Sequence, residues 1–192
     1  MIEIAPDGTP SRDFGDSYAR EGKALGRIVM PVTSRLRAYY GLKGLGRRDS
    51  HLDIGCGDCL FLRRSPCRRR VGLDVRYGDN VVDRLDFPDA SFDNVSMLAV
   101  IEHLPEAADL VAEVARVLKP GGRFVVTTPR RAGEWLIRLY SRDVEAGSDH
   151  GHEDYYDEAK MAQLTGGLLE PVTYRRFLFG LNQLFVFAKP EA

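Results

Sequence analysis

Lysine is scarce in this chain of 192 residues, supplying five of its 27 basic positions (23, 43, 119, 160 and 189). We read the arginine excess as composition, because the formal net charge of -1 gives no global field to gather nucleic acid or acidic substrates. Cysteine is nearly absent as well: three residues, an odd number, exclude a disulfide framework. No apolar run approaches the roughly 20 residues of a membrane span. The opening stretch MIEIAPDGTPSRD has no basic region followed by an apolar one, so no leader is expected. These absences predict a reduced, cytoplasmic protein with no membrane span. Its length suits one domain with a small N-terminal appendage.

What is present is an alternation of strand-like and helix-like segments, without repeats or low-complexity runs. Strands are predicted over 51–54, 70–75, 80–85, 92–98 and 123–128. The clearest helix is predicted over 106–118, with apolar side chains at Leu110, Val111, Val114, Val117 and Leu118 and a stop at KPGG. Such alternation predicts a parallel sheet with helices on its faces. Residues 1–12 read as a loose polar tail, and 17–42 as two short amphipathic helices broken at Pro31. In the last quarter a helix is predicted over 133–140, then a polar loop over 141–154 and a helix capped by Asp157 and ended by Gly166 and Gly167. Two strands follow, over 173–179 and 183–188, joined by the turn-prone GLN and able to pair antiparallel. The expected organisation is an N-terminal tail and helical cap over 1–48, then the main domain over 49–192 with an insertion at about 131–165.

The informative stretch is HLDIGCGDC (51–59). Gly55 and Gly57 follow the end of a buried strand, where ligands of open parallel sheets sit near the reversal of strand order. A dinucleotide fingerprint, G-x-G-x-x-G, fails because position 60 is Leu60. Asp53 and Asp58 bracket the loop, and a pyrophosphate would avoid both carboxylates. A guest with cationic groups and no phosphate fits better, and S-adenosylmethionine, with its sulfonium, ammonium and carboxylate, is such a guest. Backbone amides of the loop would then receive its carboxylate. Asp74, 21 residues after Asp53, ends the second strand where a carboxylate can accept ribose hydroxyls. Asp86 follows the expected third strand, placed to accept from an adenine amino group while Phe87 lines the base.

The runs LDIGCGDC, VGLDV, LDFPDASFDNVSMLAVIEHL and EVARVLKPGGRFVVTTP, in this order, resemble class I S-adenosylmethionine-dependent methyltransferases, especially the small-molecule group labelled methyltransferase type 11 or 12. The resemblance is close over 49–130 and weaker beyond. It implies an α/β fold: a Rossmann-like, doubly wound, mainly parallel seven-stranded sheet with an antiparallel last strand and helices on both faces. It also implies S-adenosylmethionine as cofactor and S-adenosylhomocysteine as product. By the same resemblance Asp53, Gly55 and Gly57 form the methionine-side loop, Asp74 binds ribose, Asp86 with Phe87 contacts adenine, and Leu98 and Ala99 lie near the amino-acid end of the cofactor and the methyl group; Cys56 and Val75 are counted with them as cofactor-binding. The family's third loop glycine is Cys59 here, which predicts an altered loop with binding retained.

Other constellations are weaker. Cys56, Cys59 and Cys67 fall short of the four ligands of a structural zinc site, so no metal is expected. RRSPCRRR (63–70) reads as a solvated loop on the edge opposite the cleft, without the interleaved aromatics of a nucleic-acid patch. His103, beside Glu102 after the fourth strand, and His152, in the polar loop with His150, are the candidate general bases. The metal-associated E-x-x-E-H of quinone-ring relatives is interrupted by Ala99. The motif [DN]-P-P-[YF] of exocyclic-amine methylation is replaced by SMLA. The expected acceptor is therefore a small, partly hydrophobic molecule methylated on oxygen, in a pocket built from Tyr18, Tyr39, Tyr40 and GEWLIRLY (133–140). An RNA or protein methyltransferase, a cofactor-binding protein without turnover and, more distantly, a nicotinamide dehydrogenase are the alternatives. Oligomeric state is not encoded legibly.

Overall fold

The computed structural model describes residues 1–12, 24–81, 84–105, 107–133 and 155–191, with 24–30 described by backbone alone. Its centre follows from two strands that are buried almost end to end. Strand β2 (Ser50–Ile54) is buried throughout, and β4 (Phe92–Leu98) is buried except at Leu98. Such strands need hydrogen-bonded neighbours on both edges and cover on both faces. They obtain the first by pairing parallel with each other and with β3 (Arg69–Leu73) and β5 (Leu118–Pro129). An antiparallel hairpin, β6 (Glu170–Phe177) and β7 (Asn182–Ala188), completes one side through the β5–β7 pairing. A two-residue strand, β1 (Ile2–Glu3), closes the other. The seven strands run in the order β1-β3-β2-β4-β5-β7-β6.

Cover comes from helices on both faces. Helix α3 (Ala107–Val117) buries Leu110, Val111, Val114 and Val117, the spacing of a single apolar stripe. They join Leu52, Ile54, Val95, Met97, Phe124 and Val126 in the main core. On the other face, α1 (Ala24–Gly44) packs Leu36 and Tyr40 against Val125, Phe177, Leu184 and Val186. The short α2 (Leu60–Arg64) buries Phe61 and Leu62. Helix α4 (Glu158–Thr165) starts as read from sequence, with Asp157 Oδ1 accepting from the Lys160 amide at 2.8 Å.

Four local expectations are corrected. The N-terminal residues are not a loose tail: Ile2 and Ile4 are buried, and Ile2–Glu3 pairs with Val71 and Gly72 at the sheet edge. No strand forms among the described residues of 80–85. There the Leu85 amide donates to Glu113 Oε2 (2.9 Å) and its carbonyl accepts from Arg116 Nη2 (2.9 Å), so side chains of α3 take the bonds a ladder would have used. Helix α1 runs through Pro31. At its C-terminal end this helix sits directly on the sheet, where a Cβ on Gly44 would lie 2.9 Å from Val186. Finally, KPGG does not separate helix from strand. It forms an irregularity within β5, whose partners on β4 jump from Phe92–Leu118 to Asn94–Arg123.

The hairpin reversal falls one residue group earlier than GLN. Leu178, Phe179 and Gly180 all adopt positive φ, and Phe179 is fully exposed at the tip. The predicted helix over 133–140 and polar loop over 141–154 lie, apart from Gly133, outside the described residues.

Candidate active site

Strand β2 is flanked by β3 on one side and β4 on the other. The chain therefore leaves β2 at the point where strand order reverses, which opens a crevice beyond the carboxyl ends of β2 and β4. The glycine loop sits at this crevice. Gly55 has φ +72°, and a Cβ there would lie 2.3 Å from Val100 of the segment after β4, so only glycine fits. Gly57 is also left-handed at φ +55°.

Asp74, just past β3, is the anchor of the loop. Its Oδ2 accepts from the Gly57 amide at 2.8 Å and its Oδ1 from the Arg76 amide at 3.0 Å, which starts the helical turn of Val75–Tyr77. The Tyr77 hydroxyl donates to the Gly57 carbonyl at 3.0 Å. The Gly55 and Cys56 amides both donate to the Leu73 carbonyl, at 2.8 and 3.1 Å. The amides expected to receive a ligand carboxylate are thus bonded within the protein at all three positions, a correction to the sequence reading. What the crevice offers is acceptors. Asp74 is 7% exposed with lone pairs remaining on both oxygens, and Val75 beside it is exposed. Cys59 stands at φ +57° and precedes α2 without a side-chain cap. Asp58 instead accepts from the Leu60 amide at 3.0 Å. Cys56 and Cys59 pack with Ile2, Ile4 and Leu62 in an apolar cluster.

Asp53 is buried, and its Oδ1 accepts from Ser96 Oγ at 2.5 Å. Burial pushes its acid up to about 7, the Ser96 hydroxyl opposes this, and the charges of Asp74 and Asp58 add to it. No lysine or arginine offsets that rise among the described residues. A cationic guest would.

The segment carrying Asp86 and Phe87 is held by a pair the sequence reading missed. Arg116 donates to the carbonyls of Leu85 (2.9 Å) and Phe87 (2.8 Å) and to Asp89 (2.7 Å), and is itself oriented by Glu113 (2.7 Å). Glu113 lies in the sequence only as a polar position of a helix, and no motif marks it. Asp86 is exposed, whereas the half-buried Phe87 sets its ring edge-on to Phe92 at 4.9 Å.

On the β4 side, Leu98 is half-buried at the strand end, and Ala99 follows with φ +59°. His103 is exposed in a short helical turn. Glu102 beside it is 1% exposed, and its Oε2 has no hydrogen-bond partner among the described residues. Burial pushes its acid up to about 7, with Arg37 of α1 pulling only partly the other way. His150 and His152 lie outside the described residues, as does Tyr18. Tyr39 is exposed, and Tyr40 packs on Phe177 at 4.7 Å between α1 and the hairpin. Tyr40 thus joins the side core. Among the described residues, no group of His, Cys, Asp and Glu is arranged to hold a metal ion, and no helix is long and apolar enough to cross a membrane. Arg70, from the run read as a solvated loop, is buried and donates to the carbonyls of Ala5 and Arg63, holding the N-terminal segment.

Residues 64–126 match the family model described as a methyltransferase domain. A probable S-adenosylmethionine-dependent methyltransferase of Mycolicibacterium smegmatis is 49% identical over 99 residues, 42% of this chain and 38% of its own length. The ubiquinone biosynthesis O-methyltransferase of Idiomarina loihiensis is 28% identical over 168 residues, 73% of this chain and 69% of its own length. The chain thus spans well under half of the first relative and about two thirds of the second. Among solved structures, a chain from the Haloferax volcanii complex of a methyltransferase with its activator superposes with a TM-score of 0.68 at 16% identity, covering 94% of this chain and 98% of that one. The strand order, the switch-point crevice and these matches agree in making the chain similar to class I S-adenosylmethionine-dependent methyltransferases, with residues 64–126 carrying the match to the methyltransferase domain.

Proposed function

We propose that this protein moves a methyl group from S-adenosylmethionine to a small, partly hydrophobic acceptor, on oxygen. The observation that carries the reading is the pair of buried carboxylates, Asp53 and Asp74, ending neighbouring parallel strands at the switch point, with no cation beside Asp53 among the described residues. That pair of acceptors suits ribose hydroxyls and an ammonium group and opposes a pyrophosphate.

When bound, S-adenosylmethionine supplies a methyl group on a positively charged sulfur, already activated for displacement. In this reading Asp74, next to Val75, accepts from the ribose hydroxyls. Asp53 faces the cationic amino-acid end, while Gly55, Cys56 and Gly57 shape the loop that leaves room for it. Asp86 and Phe87 lie on the adenine side, and Leu98 borders the reacting end. Most of the acceleration then comes from holding the acceptor in line at contact distance. A hydroxyl acceptor also loses a proton; His103 and His152 are the sequence candidates to take it, and Glu102 adds a buried carboxyl on the same rim.

Oxygen is favoured by the absent amine motif and by the relative named as an O-methyltransferase in ubiquinone biosynthesis. An RNA or protein acceptor would draw on cations. Lys43, Arg123 and Arg175 line a hollow of about 200 Å³ with Tyr40, but Arg123 is at the early end of the β5 ladder, away from the crevice.

Calorimetry with S-adenosylhomocysteine tests the cofactor. The wild type should bind, and Asp74→Ala should bind at least about tenfold more weakly, the effect of one charge-assisted hydrogen bond. Equal binding by both, or none by the wild type, refutes the reading. A methyl-transfer screen across phenols, hydroxy acids and amines then tests the acceptor, with turnover confined to amines counting against oxygen.

A further inference from the structure

Two residues before Asp53, and on the same face of β2 by the alternation of strand side chains, lies a histidine that no role above uses. His51 is 0% exposed, as is Ser96 of β4, while Ser65, after α2, is 5% exposed. The ring bridges these two serines: Nδ1 lies 2.9 Å from Ser65 Oγ and Nε2 lies 2.8 Å from Ser96 Oγ. Ser96 Oγ in turn lies 2.5 Å from Asp53 Oδ1. Phe61 packs edge-on against the imidazole at 5.2 Å and keeps it in place. Four buried polar groups thus form one chain ending on the carboxylate at the crevice.

The direction of the chain follows from counting protons. Burial drives His51 down to about 3, so the ring is neutral and carries one N–H. When Asp53 is ionised, Ser96 must donate its only hydroxyl proton to Oδ1. Its contact with His51 then requires Nε2–H as donor, which leaves Nδ1 to accept from Ser65. When Asp53 is protonated, it donates to Ser96, Ser96 donates to Nε2, and the ring proton moves to Nδ1 and bonds Ser65. In the ionised arrangement each polar hydrogen has an acceptor within the chain; in the protonated one the Ser65 hydroxyl hydrogen alone does not. The competing acceptor for Ser96, the Leu52 carbonyl, is 3.4 Å away and makes a weaker bond.

We propose that His51, Ser96 and Ser65 are positioning residues for Asp53: a reversible hydrogen-bond relay that aims its carboxylate at the cationic end of the cofactor and reports its charge as the tautomer of His51. The relay rests on the functional reading above. The groups facing Asp53 are Ser96 from β4, His51 from β2, Asp74 from the end of β3, and Asp58 and Cys56 from the loop. Among the described residues all the charged members are acids, so a bound ammonium tips Asp53 to its ionised form, and with it the relay.

Nitrogen NMR of ¹⁵N-histidine-labelled wild-type protein tests this without a substitution. The His51 ring should stay neutral and pass from the Nδ1–H to the Nε2–H tautomer as pH rises through about 7. S-adenosylhomocysteine added near pH 6 should move it to Nε2–H. A ring locked in one tautomer across this range, or one that becomes imidazolium, overturns the relay. In calorimetry Ser96→Ala should bind S-adenosylhomocysteine about tenfold more weakly near pH 7, with the loss shrinking as pH rises toward about 8.5 and Asp53 ionises unaided. A loss of equal size at both pH values marks a packing role and overturns the proposal. Failure of the wild type to bind at all refutes the cofactor reading instead, while the tautomer titration of the free protein still decides the relay.

Discussion

The two faces of β2 and β4 are buried to the same degree and built on opposite terms. Toward α3 they present Leu52, Ile54, Val95 and Met97, all 0% exposed. Toward α1 and α2 they present His51, Asp53, Asn94 and Ser96, at most 3% exposed. On the first face each side chain contributes by the apolar area it removes from water, a contribution without direction and almost without pH dependence. On the second, burial is tolerable only because partners are arranged. Asn94, for example, accepts from the Gly46 amide at 2.7 Å and donates to the Arg47 carbonyl at 2.6 Å. One face therefore sets how stable the sheet is, and the other decides where a carboxylate at its rim points.

Substitutions on either face should separate these terms. The largest loss is expected on the apolar side: Met97→Ala should cost about 2–5 kcal/mol by denaturant unfolding, equally at acid and neutral pH. A pronounced pH dependence there would break the contrast. At the rim, Glu102→Gln should do the reverse. The folded state raises this acid from 4.5 to about 7, so it holds a proton that the unfolded chain has released, and stability falls as pH rises from about 4.5 to about 7. The glutamine variant should be more stable than wild type above about pH 7, by about 3 kcal/mol from the size of that shift, and indistinguishable below about pH 4. His51→Leu keeps the ring's place apolar but leaves the Ser65 and Ser96 hydroxyls without their partner. A loss of about 1–3 kcal/mol is expected. It should vanish and then reverse as pH falls from 6.5 toward 3, because wild type alone then bears the cost of keeping neutral an imidazole that the unfolded chain protonates below 6.5. The smallest effect belongs to Cys59→Gly, where relief of the left-handed backbone at φ +57° is offset by loss of the buried thiol from its cluster with Ile2, Ile4 and Leu62, so Tm should shift by a few degrees at most.

The same contrast explains which parts of the protein were legible. The strands at 92–98 and 51–54 and the stripe of α3 appear in the sequence because their signals are local periodicities. The acids at 53 and 74 could be singled out because each ends an apolar run. The edge strand Ile2–Glu3 carries no such signal: two residues have no period, and only the open edge of β3 makes them a strand. The segment over 80–85 misled for the converse reason, since its apolar residues resemble a strand while Glu113 and Arg116 of α3 claim the backbone of Leu85. His51 and Ser96 read as interruptions of apolar strands; 45 residues separate them, and only the parallel pairing of β2 with β4 brings them within 2.8 Å.

By itself, the sequence determined the alternation of strands and helices, the order of the motifs and the acidic, phosphate-averse glycine loop, because each depends on residues within a few positions of one another. Tertiary structure alone decided that the loop amides are spent on Leu73 and Asp74, that the N-terminus completes the sheet, and that a histidine is wired to Asp53. Those outcomes depend on which distant groups burial forces into partnership, and a buried hydrogen bond has no period along the chain.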